Sequence, residues 1–170
     1  MTNKILKKVI IAISIIAIAI SSNLTNVLAS ANSVTTVVNQ KTVDLFGSKK
    51  YGNYFCTTYM KGSLYWIGRQ TAEFSGTTGG NYTGSKKADT ITHVDTVSVS
   101  GIGGISVGCK DANCSISGSK AYYTYPKDNT KDIVNHVTYT ASKGVTFSAT
   151  VTCSTSYAFG STNYRVVPGD

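Results

Sequence analysis

Beyond residue 32, apolar and polar residues alternate with a period of two through most of the chain. In VTFSATVTC (145–153), Phe147, Ala149, Val151 and Cys153 fall on one side, and Ser148, Thr150 and Thr152 on the other. Successive side chains of a strand point to opposite faces, so this pattern predicts a strand with one buried face. DTVSVSGI (95–102) repeats it with Val97 and Val99 inward. NYFCTTYM (53–60) and SLYWIGRQTAEF (63–74) read as a hairpin turning at Lys61-Gly62. The run Leu64-Tyr65-Trp66-Ile67 is apolar on both faces, as a central strand would be. SVTTVVNQKTVDLF (33–46) supplies a first strand, and HVTYTAS (136–142) and NYRVV (163–167) supply two more. SGTTGGNYTGSKK (75–87) reads as a long glycine-rich loop, and SGIGGISVG (100–108) as a turn or bulge. YPKDN (125–129) reads as a turn started by Pro126, and only NTKDIVNHV (129–137) has room for a helical turn.

Composition strengthens this picture. Thr, Ser, Val and Tyr dominate, Gly numbers sixteen, Pro two, and Glu73 is the single glutamate. These are strand and turn formers, with helix formers sparse. The expectation is an all-β domain of about eight short antiparallel strands, a β-sandwich or small barrel.

The first 31 residues break the pattern. Lys4, Lys7 and Lys8 precede the uncharged, mostly apolar run Val9–Ile20, and Ala29-Ser30-Ala31 offers a small-residue cleavage site. That is the layout of a secretory signal peptide cleaved near Ala31. The apolar run is too short to span a bilayer. Residues 1–31 are therefore read as leader and 32–170 as one secreted all-β domain. Three of the sixteen basic residues fall in the leader and all eight acids beyond it, so the domain carries +5. Its lysines are scattered and its only arginines are Arg69 and Arg165, which is not the focused basic face of a nucleic-acid binder. Attraction to anionic envelope polymers or a membrane surface remains physically reasonable.

Export changes how the cysteines read. Cys56, Cys109, Cys114 and Cys153 form an even set, which in an exported chain signals disulfides. A zinc site would want closely spaced thiolates in both halves, and only VGCKDANCSISG (107–118) has such a pair, so no metal or cofactor is expected. Three pairings are open. The expected one joins Cys109 to Cys114 across a tight polar loop and Cys56 to Cys153 between apolar strands. By chain entropy the short loop contributes about 2 kcal/mol and the long one nearly 5.

Catalytic chemistry finds little support. THVD puts His93 and Asp95 on one face of a strand, the weak beginning of a hydrolase triad, but there is no G-x-S-x-G elbow. A single glutamate and scattered aspartates argue against paired glycosidase carboxylates. The expectation is a non-enzymatic protein, with a hydrolase or hydrolase inhibitor as a further class.

Aromatics are the more suggestive feature. Eleven tyrosines and one tryptophan include a cluster in KAYYTYPKDN (120–129), where adjacent tyrosines face opposite ways. Trp66, Tyr122, Tyr123 and Tyr125, with Lys49 and Lys50, are the candidate binding residues: rings for contact area, lysines for long-range attraction. The expected function is binding of extracellular or cell-envelope polymers, polysaccharides or surfaces. KKYGNYFC (49–56) resembles the K-Y-Y-G-N-G-V-x-C box of pediocin-like bacteriocins in its Lys-Tyr-Gly-Asn core and nearby cysteine. The resemblance covers eight residues. Tyr54 stands where the family has its second glycine, Lys61 where its partner cysteine would fall, and the family's peptides are far shorter. The basic charge and the tyrosine clusters motivate the alternative function, a secreted bacteriocin-like antibacterial or membrane-active protein.

Overall fold

Two five-stranded antiparallel sheets face each other in the computed structural model, which describes residues 37–67, 71–110 and 112–170. The expected leader with its predicted cleavage near Ala31, and the side chain of Trp66, lie outside the described residues. The strands are β1 (Val37–Tyr51), β2 (Tyr54–Ile67), β3 (Thr71–Asn81), β4 (Ala88–Ile102), β5 (Ser106–Gly108), β6 (Asn113–Ser117), β7 (Lys120–Thr130), β8 (Asp132–Ser142), β9 (Val145–Phe159) and β10 (Thr162–Val166). The first sheet runs β1-β2-β3-β8-β5 and the second β10-β9-β4-β7-β6. The all-β expectation holds, with ten described strands in place of about eight.

The core lies between the sheets. Met60, Leu64 and Phe74 face it from the first sheet, and Ile91, Val97, Val99 and Tyr157 from the second. Val97 and Val99 are inward as the alternation predicts, and each such side chain contributes about 1.5–3 kcal/mol by leaving water.

Several local readings need correction. Lys61-Gly62 is no turn: β2 runs straight through it, and the hairpin turns instead at Gly52-Asn53, between the paired Tyr51 and Tyr54. The glycine-rich 75–87 stretch is mostly strand β3. Its glycines serve close approach. The Tyr157 hydroxyl reaches across from the second sheet to the Thr57 and Asn81 carbonyls, and a Cβ on Gly80 would lie 2.4 Å from that oxygen. Pro126 sits within β7, opposite Thr92 and past the end of β6, where the missing N–H breaks no pairing on the open side. Residues 132–137 are strand β8, not helix. Phe147 is the extra residue of a β-bulge: Ser100 pairs with Ser148 and Gly101 with Thr146. The bulge reverses the alternation, so Thr146 turns inward and Phe147 is 66% exposed.

The sheet edges are finished differently on the two sides. Beside β1, the chain's last residues close the gap through Gly169 N–H to the Phe46 carbonyl (3.1 Å), Ser48 N–H to the Asp170 carbonyl (3.4 Å) and a Lys49–Asp170 ion pair (3.6 Å). A Cβ on Gly47 would lie 2.0 Å from the Val167 carbonyl oxygen, so the contact needs glycine there. On the opposite side β5 and β6 are only 3 and 5 residues long. The predicted Cys109–Cys114 disulfide is present and joins the end of β5 to β6, one edge strand of each sheet.

The predicted Cys56–Cys153 bridge is not formed; both thiols are free and buried. Both face the core as expected, but Cys153 sits 3.5 Å from the Thr58 hydroxyl, one inward position along β2 from Cys56, so the two are out of step. Two thiols are therefore expected to react with a thiol reagent only after denaturation, beside one reducible bridge worth about 2 kcal/mol. A denatured, unreduced protein with no reactive thiol would overturn this pairing.

Candidate functional site

β4 carries the file Ile91, His93, Asp95, Val97, Val99 on its buried face, so the His-Asp pair occupies two positions of an otherwise apolar row. Both side chains are fully buried. Asp95 Oδ1 lies 2.9 Å from His93 Nε2 and accepts from the Thr78 hydroxyl at 2.7 Å, while Oδ2 accepts from the Tyr139 hydroxyl. On the other side of the ring, His93 Nδ1 lies 2.7 Å from the Thr155 hydroxyl, which donates to Thr58 at 2.8 Å. The same Thr155 hydroxyl also reaches the Gly79 carbonyl at 3.5 Å. The Thr78 hydroxyl sits against both His93 Nε2 and Asp95 and also reaches the Tyr59 carbonyl at 3.1 Å. Both ring nitrogens are engaged, and His93 and Asp95 form a fully buried hydrogen-bonded pair.

The node draws on both sheets: Thr58, Thr78 and Tyr139 from the first, His93, Asp95, Cys153 and Thr155 from the second. Burial and the Asp95 carboxylate hold the Tyr139 phenol far above its ordinary range. The Tyr139 and Tyr125 hydroxyls lie 2.9 Å apart, and Tyr125 sits at the wall of the sandwich.

Thr155, His93 and Asp95 have the hydroxyl–imidazole–carboxylate order of a hydrolytic triad, yet the clefts described below are lined by other residues. A triad needs room for a substrate beside its nucleophile. His93, Asp95 and Cys153 also bring donor atoms within 4.8 Å of one another, a set zinc could accept. Here Asp95 already takes three hydrogen bonds, and burial pushes the Cys153 thiol up to about 12, away from the thiolate a metal requires. The arrangement fits a hydrogen-bonded polar core better than a metal centre.

The six predicted binding residues do not come together. Tyr123 and Tyr125 point inward; Tyr123 stacks on Tyr139 with centroids 3.9 Å apart and donates to the Thr140 carbonyl. The reason is phase: from Ala121 to Tyr125 the odd-numbered positions of β7 face the core, which leaves Tyr122 on the outer face between Thr96 and Ser115. Trp66 lies at the far end of β2 by its backbone register. Lys49 is engaged with Asp170, and Lys50 reaches over the Phe55 ring at 5.9 Å.

Lys50 instead belongs to a surface the sequence reading passed over. Phe46, Ser48 and Lys50 of β1 pair with Tyr59, Thr57 and Phe55 of β2, all on the outer face of the first sheet. Phe46 is 58% and Phe55 46% exposed, and Tyr59 is half-buried. Lys61 continues the face in an exposed pair with Asp44. The signal was present: with Cys56 inward, alternation sends Phe55 out.

A second feature opens on the opposite side, where the sheets part between β7 and β8. Two clefts of about 470 and 500 Å³ share Tyr125, Val134 and Asn135. The Asn135 side-chain nitrogen is buried there without a hydrogen-bond partner. Comparison with known proteins adds no constraint, since no family model, curated protein or solved structure matches this chain.

Proposed function

We propose that the chain is a secreted, non-enzymatic domain that binds extracellular or cell-envelope polymers or surfaces through the outer face of β1 and β2. The observation that carries this reading is the exposure of Phe46 and Phe55 beside Lys50 on a face otherwise built of hydroxyl and charged residues. Exposed rings offer flat, low-entropy contact area to sugars or lipid headgroups, and lysines draw anionic polymers from a distance. The sealed His93–Asp95 pair supports the non-enzymatic part, because the one catalytic candidate sits away from solvent.

Sedimentation with isolated bacterial envelopes tests the reading. Binding is expected to weaken between low and physiological salt, because exposed charges are screened. Phe46→Ser with Phe55→Ser is expected to weaken it about tenfold or more, while stability changes by no more than about 0.5 kcal/mol. Undiminished binding by that variant would sink the site. Leakage of anionic liposomes, abolished by the same substitutions, would replace polymer binding with the membrane-active alternative.

A further inference from the structure

We infer that the free edge of β8 accepts an extended peptide bearing an acidic side chain, added as a further strand of the first sheet. β8 pairs with β3 along its whole length but with β5 only at Thr140–Ser142, so among the described residues positions 133–139 have one side without a partner strand. Backbone N–H and C=O groups on that side form a ready template for another strand.

Two of the other edges are guarded over part of their length. β1 is closed by the chain's last residues. The uncovered part of β7, past Thr124, carries Pro126 and Lys127, both of which discourage strand addition. β8 has neither proline nor lysine, its register against β3 is unbroken, and Val134 is 51% exposed on it.

The cleft chemistry names the occupant. The buried, unpartnered Asn135 nitrogen is a donor in need of an acceptor. Lys110 and Lys127 stand at the same opening, and no carboxylate lines either cleft among the described residues. Lys127 also pairs with the exposed Asp132 at 3.7 Å. Donor and cations together call for a carboxylate on an extended backbone. A second copy of this chain is the poorer occupant, since it would bring its own lysine-lined opening against this one.

The test uses the full chain and a labelled eight-residue Thr/Val peptide with a central aspartate. Saturable binding is expected, at least about tenfold weaker when lysine replaces the aspartate or when alternate peptide amides are N-methylated. Asn135→Ala is expected to weaken binding about tenfold without lowering the melting temperature, since the amide it removes is unsatisfied in the free protein. Hydrogen exchange of alternate amides within 133–139 should slow on binding. No saturable binding, equal binding of the N-methylated peptide, or protection confined to residues 46–59 would overturn the proposal. Concentration-dependent self-association protecting the same amides without peptide would overturn it too, by assigning the edge to a second copy.

Discussion

Asp95→Ala is expected to destabilise the protein by about 3–5 kcal/mol, because it strips the shared acceptor from a buried imidazole, a buried hydroxyl and a buried phenol at once. Asp95 takes hydrogen bonds from Thr78, His93 and Tyr139, and none of the three has water to turn to. A loss of that size lowers the melting temperature by about 10 °C or more for a domain of this length. Tyr139→Phe removes one of the three donors and keeps the His93–Asp95 contact, so about 1–3 kcal/mol is expected. Thr92→Ala, on the outer face of the same strand, should stay within about 0.5 kcal/mol. Urea titrations of the three variants separate these values. An Asp95→Ala loss below about 1 kcal/mol would mean that water reaches the node and that the two sheets do not seal it.

Alkaline pH should unfold the protein steeply. Burial pushes the Cys56 thiol up to about 11, and the Cys153 thiol and Tyr123 phenol up to about 12. Tyr139 and Tyr157 move in the same direction for the same reason. The folded form therefore keeps protons that the unfolded chain releases from about pH 9 for thiols and 10 for phenols. Below that range both states are protonated and stability is flat. Above it, each such group costs about 1.4 kcal/mol per pH unit until its folded value is reached. Five groups acting together exhaust an ordinary stability of about 5–15 kcal/mol within roughly two pH units. Phenolate absorbance and circular dichroism followed together check this: the buried tyrosines should ionise only as the strand signal disappears. Their gradual ionisation in a folded protein would contradict the sealed core.

What was legible in the sequence is what depends on neighbours along the chain. Val97 and Val99 inward, His93 and Asp95 on one face, and the Cys109–Cys114 closure follow from a period of two and a short loop. What was not legible depends on partners across space. Phe147 leaves the core because β4 imposes a bulge on β9, which no reading of 145–153 alone contains. KAYYTYP alternates tyrosine with tyrosine, so its phase is undetermined until β4 and β6 fix it and bury Tyr123 and Tyr125. The glycines of β3 looked like a loop because what they make room for is distant: the Lys61 and Ile133 carbonyls of the neighbouring strands for Gly76 and Gly79, and for Gly80 the Tyr157 hydroxyl of a strand some 75 residues away. Cys56 and Cys153 share an environment but differ by one inward step, a registry between sheets that composition does not encode.

β4 lies between β7 and β9, and both of those strands come later in the chain. During synthesis, β1, β2 and β3 can pair in order as they emerge, each beside the strand before it. β4 emerges with nothing to join: its partners on one side span 120–130 and on the other 145–158, so both edges wait. The His93–Asp95 pair waits with it, because Tyr139 and Thr155 are also still to come. Folding is thus committed late, by closures between distant segments that are slow relative to helix or hairpin formation. A ribosome stalled before residue 145 holds a 15-residue, valine-bearing strand open on one side, the kind of segment that nascent-chain chaperones shield and that aggregates when they do not.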